Sequence, residues 1–85
     1  MVKEGDLVAI FHSIHRVMKA EKLLKQAGKK VLLIPVPRQL TSDCGLAIRF
    51  DQEVRAEIEE VLSASNLQIQ ELYLRQLKEF VRLDT

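Results

Sequence analysis

The sequence predicts an α+β domain in which two helices pack against one antiparallel sheet. Four apolar runs and two segments of helical periodicity follow one another in the order strand, helix, strand, strand, helix, strand. The link between the second and third runs spans only residues 37–43, which is too short for a parallel crossover, so these two strands should form an antiparallel hairpin. The chain has 85 residues, enough for one small core, and we expect a single domain over 1–85.

The first half of the chain predicts a strand, a helix and an edge strand. Strand β1 is expected over 6–12, where a continuous β-branched and aromatic run is typical of a strand buried on both faces. Helix α1 follows over about 14–27, because Ser13 can cap its amino end and Gly28 suits the left-handed position after its carboxyl end. Strand β2 is expected over 30–36, where two prolines near the end remove backbone donors that a central strand would need.

The second half predicts a strand, a helix and a final strand. Strand β3 is the apolar run 44–50. Asp51 is expected to cap helix α2 over about 52–63, whose apolar side chains recur at helical spacing. Strand β4 is expected over 68–75, although the same apolar positions also fit helical spacing.

This order of elements is the split βαβ arrangement of ferredoxin-like domains. It implies a four-stranded antiparallel sheet in the order 4-1-3-2, with both helices on one face. The predicted core spans 6–75, and residues 76–85 are expected to form a tail or a short helix.

Composition and charge exclude several classes of function. The net charge is +1, so the chain as a whole does not attract nucleic acid or an anionic membrane. The apolar runs are far shorter than the roughly 20 residues that span a bilayer, and we expect a cytoplasmic protein without a membrane segment. The charge is uneven, with eight basic and three acidic residues in 1–42 and five basic and nine acidic residues in 43–85. Such a split can be complemented within the domain or across a homodimer.

Cys44 is the single cysteine, so an internal disulfide is excluded and any role of its sulfur is that of a thiol. Antiparallel pairing places the carboxyl end of β1 beside the amino end of β3. We therefore expect His12, Ser13, His15 and the start of α1 to lie close to Cys44 and Gly45. A helix amino end and two imidazoles would favour the thiolate over the thiol, which is typical of a reactive cysteine.

The sequence gives less support for metal binding, RNA binding and serine catalysis. His12 and His15 could join Cys44 as metal ligands, but structural zinc sites use four ligands, and we expect no metal and no cofactor. A ferredoxin-like sheet that binds RNA needs exposed aromatic residues in a Lys/Arg-Gly-Phe pattern, which is absent here. Ser13 lacks the surroundings of a catalytic serine, so its role as a helix cap is favoured.

Three segments together resemble the small bacterial family of selenium/sulfur carrier-like proteins. They are Phe-His-Ser at 11–13 before a lysine-rich helix, Leu-Ile-Pro-Val-Pro-Arg at 33–38, and Ser-Asp-Cys-Gly-Leu-Ala-Ile-Arg-Phe at 42–50. The resemblance covers about residues 6–75. It implies that Cys44 carries sulfur or selenium as a persulfide or selenosulfide, and that Gly45, Arg38 and Ser42 belong to the same site.

The leading hypothesis is therefore a carrier that is not an enzyme. Cys44 would accept sulfur or selenium from a donor protein such as a cysteine desulfurase and pass it to an acceptor protein. The alternative is a regulatory domain that binds a small molecule or a protein partner and uses Cys44 only for packing. A weaker alternative is a metallochaperone that uses Cys44 with His12 or His15.

Overall fold

A computed structural model describes residues 2–41 and 44–83, and it confirms the α+β class with an antiparallel sheet and two helices. The strands are β1 (Asp6–Ile10), β2 (Leu32–Pro35), β3 (Leu46–Asp51), β4 (Glu71–Gln76) and β5 (Glu79–Leu83). The helices are α1 (Ile14–Gln26) and α2 (Arg55–Ala64), and a 3-10 turn at Gln52–Val54 precedes α2. No helix in these described ranges is long and apolar enough to cross a membrane.

Strand β1 is the centre of the sheet. All five of its residues are buried, as the continuous apolar run predicts. It pairs antiparallel with β3, where Asp6 lies opposite Asp51 and Ile10 opposite Ala47, and with β4 on its other side. Strand β2 pairs with β3, which makes it an edge strand among the described residues and agrees with its prolines.

The predicted four-stranded sheet is wrong in one respect, because the sheet has five strands in the order 2-3-1-4-5. The first four are neighbours as expected, since 2-3-1-4 is the predicted order read from the other edge. The sequence predicts a tail or a short helix over 76–85, whereas Glu79–Leu83 pairs antiparallel with β4. Leu77 and Lys78 connect the two strands with φ of 54° and 66°, the sign that a two-residue hairpin turn requires.

The two helices begin in different ways. The Ser13 side chain accepts a hydrogen bond from the backbone N–H of Arg16 at 3.3 Å, which confirms the predicted cap of α1. Gly28 follows α1 with φ of 76°, also as predicted. The expected cap by Asp51 is wrong: this residue ends β3, and its side chain makes no capping hydrogen bond.

The core lies between the helices and one face of the sheet. Leu7, Ala9 and Phe11 point to that face and pack with α1 and α2 residues such as Val17 and Ile58, all at most 1% exposed. The alternate residues of β1, Val8 and Ile10, form a second buried cluster on the opposite face. Because both helices contribute to the first cluster and neither to the second, they cover one face, as predicted.

Candidate functional site

Cys44 lies in the turn immediately before β3, an interior strand of the sheet. The residue is half-buried, and it packs against the core cluster on the helix side together with Leu46. Its Sγ donates a hydrogen bond to the carbonyl oxygen of Leu46 at 3.4 Å. The cysteine is thus anchored to rigid structure on one side while it remains partly open to solvent.

Gly45 gives the chain the conformation that joins this turn to the strand. Its φ is 72°, in the left-handed region that favours glycine. A Cβ atom built on Gly45 would meet no atom within 4 Å, so the surroundings leave room for a side chain. The carbonyl oxygen of Gly45 accepts a hydrogen bond from the backbone N–H of Val36 at 3.0 Å. The glycine is needed for its backbone angle and not for lack of space.

Three chain segments meet at the end of the sheet where Cys44 lies, which we name the Cys44 edge: 11–13 after β1, 36–38 after β2, and 44–45 before β3. The pairing of β1 with β3 ends at Ile10 and Ala47, so the residues that follow β1 and those that precede β3 lie at the same end of the sheet. The predicted meeting of the carboxyl end of β1 with the amino end of β3 is therefore confirmed. The Val36 hydrogen bond brings the end of β2 to the same place.

The His12 side chain makes its contact on the other side of β1. Its Nε2 atom is hydrogen-bonded to Oε2 of Glu71 in β4, whereas Cys44 precedes β3. The backbone of His12 has φ of 57°, an uncommon value for a residue other than glycine. Its Nδ1 atom is buried and makes no hydrogen bond to a described residue. Activation of Cys44 by the imidazole stays a prediction.

Glu71 is the centre of a polar cluster that sequence reasoning missed. Its second carboxylate oxygen, Oε1, accepts a hydrogen bond from the Tyr73 hydroxyl at 2.6 Å and lies 3.9 Å from Arg82. The hydrogen bond from Tyr73 and then that from His12 hold the pKa of Glu71 below its ordinary value, although partial burial opposes them. The same hydrogen bond to Glu71, followed by burial, raises the pKa of Tyr73.

A signal for part of this cluster was present in the sequence. Glu71 and Tyr73 are two residues apart in a strand, so they share one face of the sheet. Their link to His12, 59 residues earlier than Glu71, depends on the pairing of β1 with β4. The predicted order 4-1-3-2 makes β1 and β4 neighbours, but it does not give the register that brings Glu71 opposite Ile10.

The remaining predicted site residues lie in different settings. Arg38 is exposed in the turn after β2, where the backbone N–H of Leu40 bonds to the carbonyl oxygen of Pro37. His15 is exposed in the first turn of α1, and the Ser13 hydroxyl is occupied as the helix cap. Ser42 lies outside the described residues. The structure thus brings Ser13, Cys44 and Gly45 to one edge, with Arg38 in the adjoining turn.

No group of three or more His, Cys, Asp or Glu side chains among residues 2–41 and 44–83 is placed to hold a metal ion. A cleft of about 270 Å³ lies between the end of α2 and the start of β4, and it is lined by Glu59, Leu62, Ser63, Leu67, Gln68 and Ile69. These lining residues include none of the predicted site residues. The cleft is near the lower limit of the usual size of small-molecule pockets.

Fold and site together define a small α+β protein that presents one half-buried thiol, followed by a glycine in the left-handed conformation, at the start of an interior strand. Over residues 6–74 the chain matches the model of the family described as "Putative Se/S carrier protein-like", and it belongs to this family. The resemblance carried by the three sequence segments is thereby confirmed. The matched region ends before β5 begins.

One curated relative and the solved structures complete the comparison. A protein of Aquifex aeolicus (strain VF5) with the name "Putative sulfur carrier protein" is 32% identical over 84 residues, which are 96% of this chain and 43% of that relative. The chain therefore spans less than half the length of this relative. No solved structure matches the chain.

Proposed function

We propose that this protein carries sulfur or selenium on Cys44 between a donor protein and an acceptor protein, and that it acts as a carrier and not as an enzyme. The observation that carries the proposal is the position of Cys44, which is held at the start of an interior strand and remains partly exposed at the edge where three segments meet. Membership of the selenium/sulfur carrier-like family supports the same role.

The transfer is an exchange at sulfur that needs no external oxidant. The Cys44 thiolate attacks the outer sulfur of a persulfide on the donor, and a bond forms between Sγ and that outer sulfur. The S–S bond of the donor breaks, and its electron pair leaves with the donor thiolate. Cys44 now holds the persulfide, and attack by an acceptor thiolate on its outer sulfur regenerates the Cys44 thiolate. Selenium follows the same course as a selenosulfide.

One cysteine is sufficient for this cycle. Transfer requires a sulfur that a second protein can reach, and it requires no resolving cysteine within the chain. The half-exposed position of Cys44 meets the first requirement, and its single-cysteine composition fits the second.

Loading with a protein donor tests the proposal. The protein is incubated with a cysteine desulfurase and free cysteine, and its intact mass is measured. We expect an added mass of one sulfur atom, which dithiothreitol removes. The Cys44→Ser variant is the matched control and should gain nothing. A wild-type protein that stays unmodified while the desulfurase turns over would contradict the proposal.

The second candidate is a domain that binds a small ligand or a protein partner, with Cys44 in a structural role. The packing of Cys44 against the core and its hydrogen bond to Leu46 favour this candidate. In that case Cys44→Ser should lower the free energy of unfolding substantially, because a core thiol would have been replaced by a hydroxyl group. The stability of this variant therefore separates the two functions.

A further inference from the structure

The outward side of α1 carries two apolar side chains near the Cys44 edge. Ile14 and Met18 are 45% and 46% exposed, and they lie four residues apart, one above the other on the same side of the helix. Helix α1 begins directly after Ser13, at the end of the sheet where Cys44 lies. This pair of apolar side chains therefore starts at the same end of the sheet as the proposed transfer site.

The same two turns of α1 carry positive charge that the domain does not neutralise. Arg16, Lys19 and Lys22 are exposed, and none of them forms an ion pair with a described residue. The lysines farther along behave differently, since Lys25 pairs with Glu21 at 2.9 Å and Lys29 pairs with Glu57 at 2.8 Å.

One of these cations is unfavourable for the helix itself. Arg16 lies in the first turn of α1, which contains no acidic residue, although the positive end of the helix dipole favours acids there and disfavours bases. Lys19 and Lys22 lie beyond that turn, beside the exposed Ile14 and Met18. They form a positively charged surface with an apolar centre.

We propose that Ile14, Met18, Lys19 and Lys22 form the docking surface for the protein partner that exchanges sulfur with Cys44, and that this partner contributes an apolar contact bordered by carboxylates. The inference rests on the proposed carrier function. A partner whose sulfur reaches Cys44 must cover the Cys44 edge. A standard interface covers about 800 Å² on each partner. Because α1 from Ser13 to Lys22 extends only about 14 Å, one interface of that size can cover the Cys44 edge and this part of α1 together.

Charge decides the chemistry of the partner. The unneutralised cations on α1 attract carboxylates and repel other basic surfaces, which raises the rate of encounter with an acidic partner. The apolar pair distinguishes this surface from a nucleic-acid site, which would need a longer series of cations and stacking side chains.

Two synthetic peptides test the docking surface without knowledge of the natural partner. Both contain one cysteine, activated as a mixed disulfide with thionitrobenzoate, beside leucine and phenylalanine. One peptide is otherwise rich in glutamate and the other is rich in lysine. The Cys44 thiolate attacks the peptide sulfur, a disulfide between Cys44 and the peptide forms, and thionitrobenzoate leaves with the electron pair and is measured by its absorbance.

We expect the acidic peptide to react about tenfold faster than the basic peptide at low ionic strength, and salt should reduce this ratio. The double variant Lys19→Glu/Lys22→Glu should bring the ratio to one or below. The matched control, Lys30→Glu/Lys78→Glu, makes the same change of net charge at exposed positions near the opposite end of the sheet and should keep most of the preference. Met18→Gln should lower the rate at which Cys44 reacts with the acidic peptide and leave its rate with the basic peptide unchanged.

Two outcomes would overturn the proposed docking surface. The wild-type protein could react with the two peptides at equal rates, or both double variants could lose the preference for the acidic peptide equally. Failure of the carrier proposal looks different, because the desulfurase would then add no sulfur to Cys44, whatever the two peptide rates are. If Cys44 reacts with neither peptide, the rates do not report on docking. In that case backbone amide NMR shifts, recorded with an acidic peptide that lacks cysteine, decide the docking question alone. Shifts confined to 14–22 support the surface, and their absence overturns it.

Discussion

At the scale of single residues, Gly45 determines how the chain enters β3 directly after Cys44. Its φ of 72° is strained for any residue with a Cβ, while a Cβ would meet no atom within 4 Å. We therefore expect Gly45→Ala to fold and to lower the free energy of unfolding by about 1–2 kcal/mol. Gly45→Asn should cost less, because asparagine tolerates the left-handed region. Urea denaturation measures both variants.

The two Gly45 variants also test why glycine follows the cysteine. If Gly45→Ala and Gly45→Asn cost the same, backbone conformation is not the reason for glycine at this position. A steric explanation would instead be supported if both variants failed to fold.

Cys44 itself allows a second prediction at this scale. Its Sγ donates to the carbonyl oxygen of Leu46, and a serine hydroxyl can donate to the same acceptor or to water. We expect Cys44→Ser to change the free energy of unfolding by less than about 1 kcal/mol and to abolish sulfur loading. Thermal unfolding and intact mass on the same sample provide the two measurements. A large loss of stability would favour the structural role of Cys44.

At the scale of elements, the hairpin between β4 and β5 is the part of the fold that could not be predicted from the sequence. Its two turn residues, Leu77 and Lys78, both have positive φ, and Leu77 is 82% exposed. Such turns are normally recognised by Asn-Gly or Asp-Gly, and leucine followed by lysine gives no such signal. The strands and helices before residue 76 were easier to predict, because β1 is apolar from Leu7 to Ile10 and α1 has a serine cap before it and a glycine after it.

The unfavourable turn residues make a prediction about stability. Replacing both, as Leu77→Asn/Lys78→Gly, supplies the sequence that this turn type prefers and removes two strained backbone angles. We expect the free energy of unfolding to rise by about 1 kcal/mol, which in a domain of this size corresponds to an increase in Tm of about 4–8 °C. The control Glu79→Gln changes the adjoining exposed strand residue and should have little effect. A decrease in Tm for the double variant would contradict the turn assignment.

At the scale of the whole molecule, the site is assembled by pairing between distant segments. The meeting of 11–13 with 44–45 was predictable, because any antiparallel pairing of β1 with β3 brings these ends together. The His12 contact with Glu71 was not predictable, because it depends on the register that places Glu71 of β4 opposite Ile10 at the end of β1. The docking surface on α1 was visible only as a lysine-rich helix until ion pairs separated Lys19 and Lys22 from Lys25 and Lys29.

The pH dependence of global stability provides the prediction for the whole domain. Asp6 begins the central strand, and its carboxylate accepts hydrogen bonds from the Lys3 backbone N–H and from Arg49 of β3, both at 2.8 Å. Burial raises the pKa of Asp6, but the hydrogen bonds from Lys3 and Arg49 and the positive charge of Arg49 outweigh it, so the pKa lies below its ordinary value.

A carboxylate whose pKa is lowered by folding stabilises the native state at every pH above its unfolded value of about 4, and this contribution is lost as pH falls through the lower, folded pKa. Asp6→Asn leaves the guanidinium of Arg49 without its partner charge, and should lower the free energy of unfolding at pH 7 by about 2 kcal/mol. The difference between wild type and variant should shrink steadily below about pH 4. Urea denaturation from pH 7 to 2 measures this difference in the free energy of unfolding. The control is Glu53→Gln, because Glu53 is an exposed acid without an ion pair to a described residue. If the wild-type and Asp6→Asn curves stay parallel over this range, the ion pair between β1 and β3 contributes nothing to the acid sensitivity of the fold.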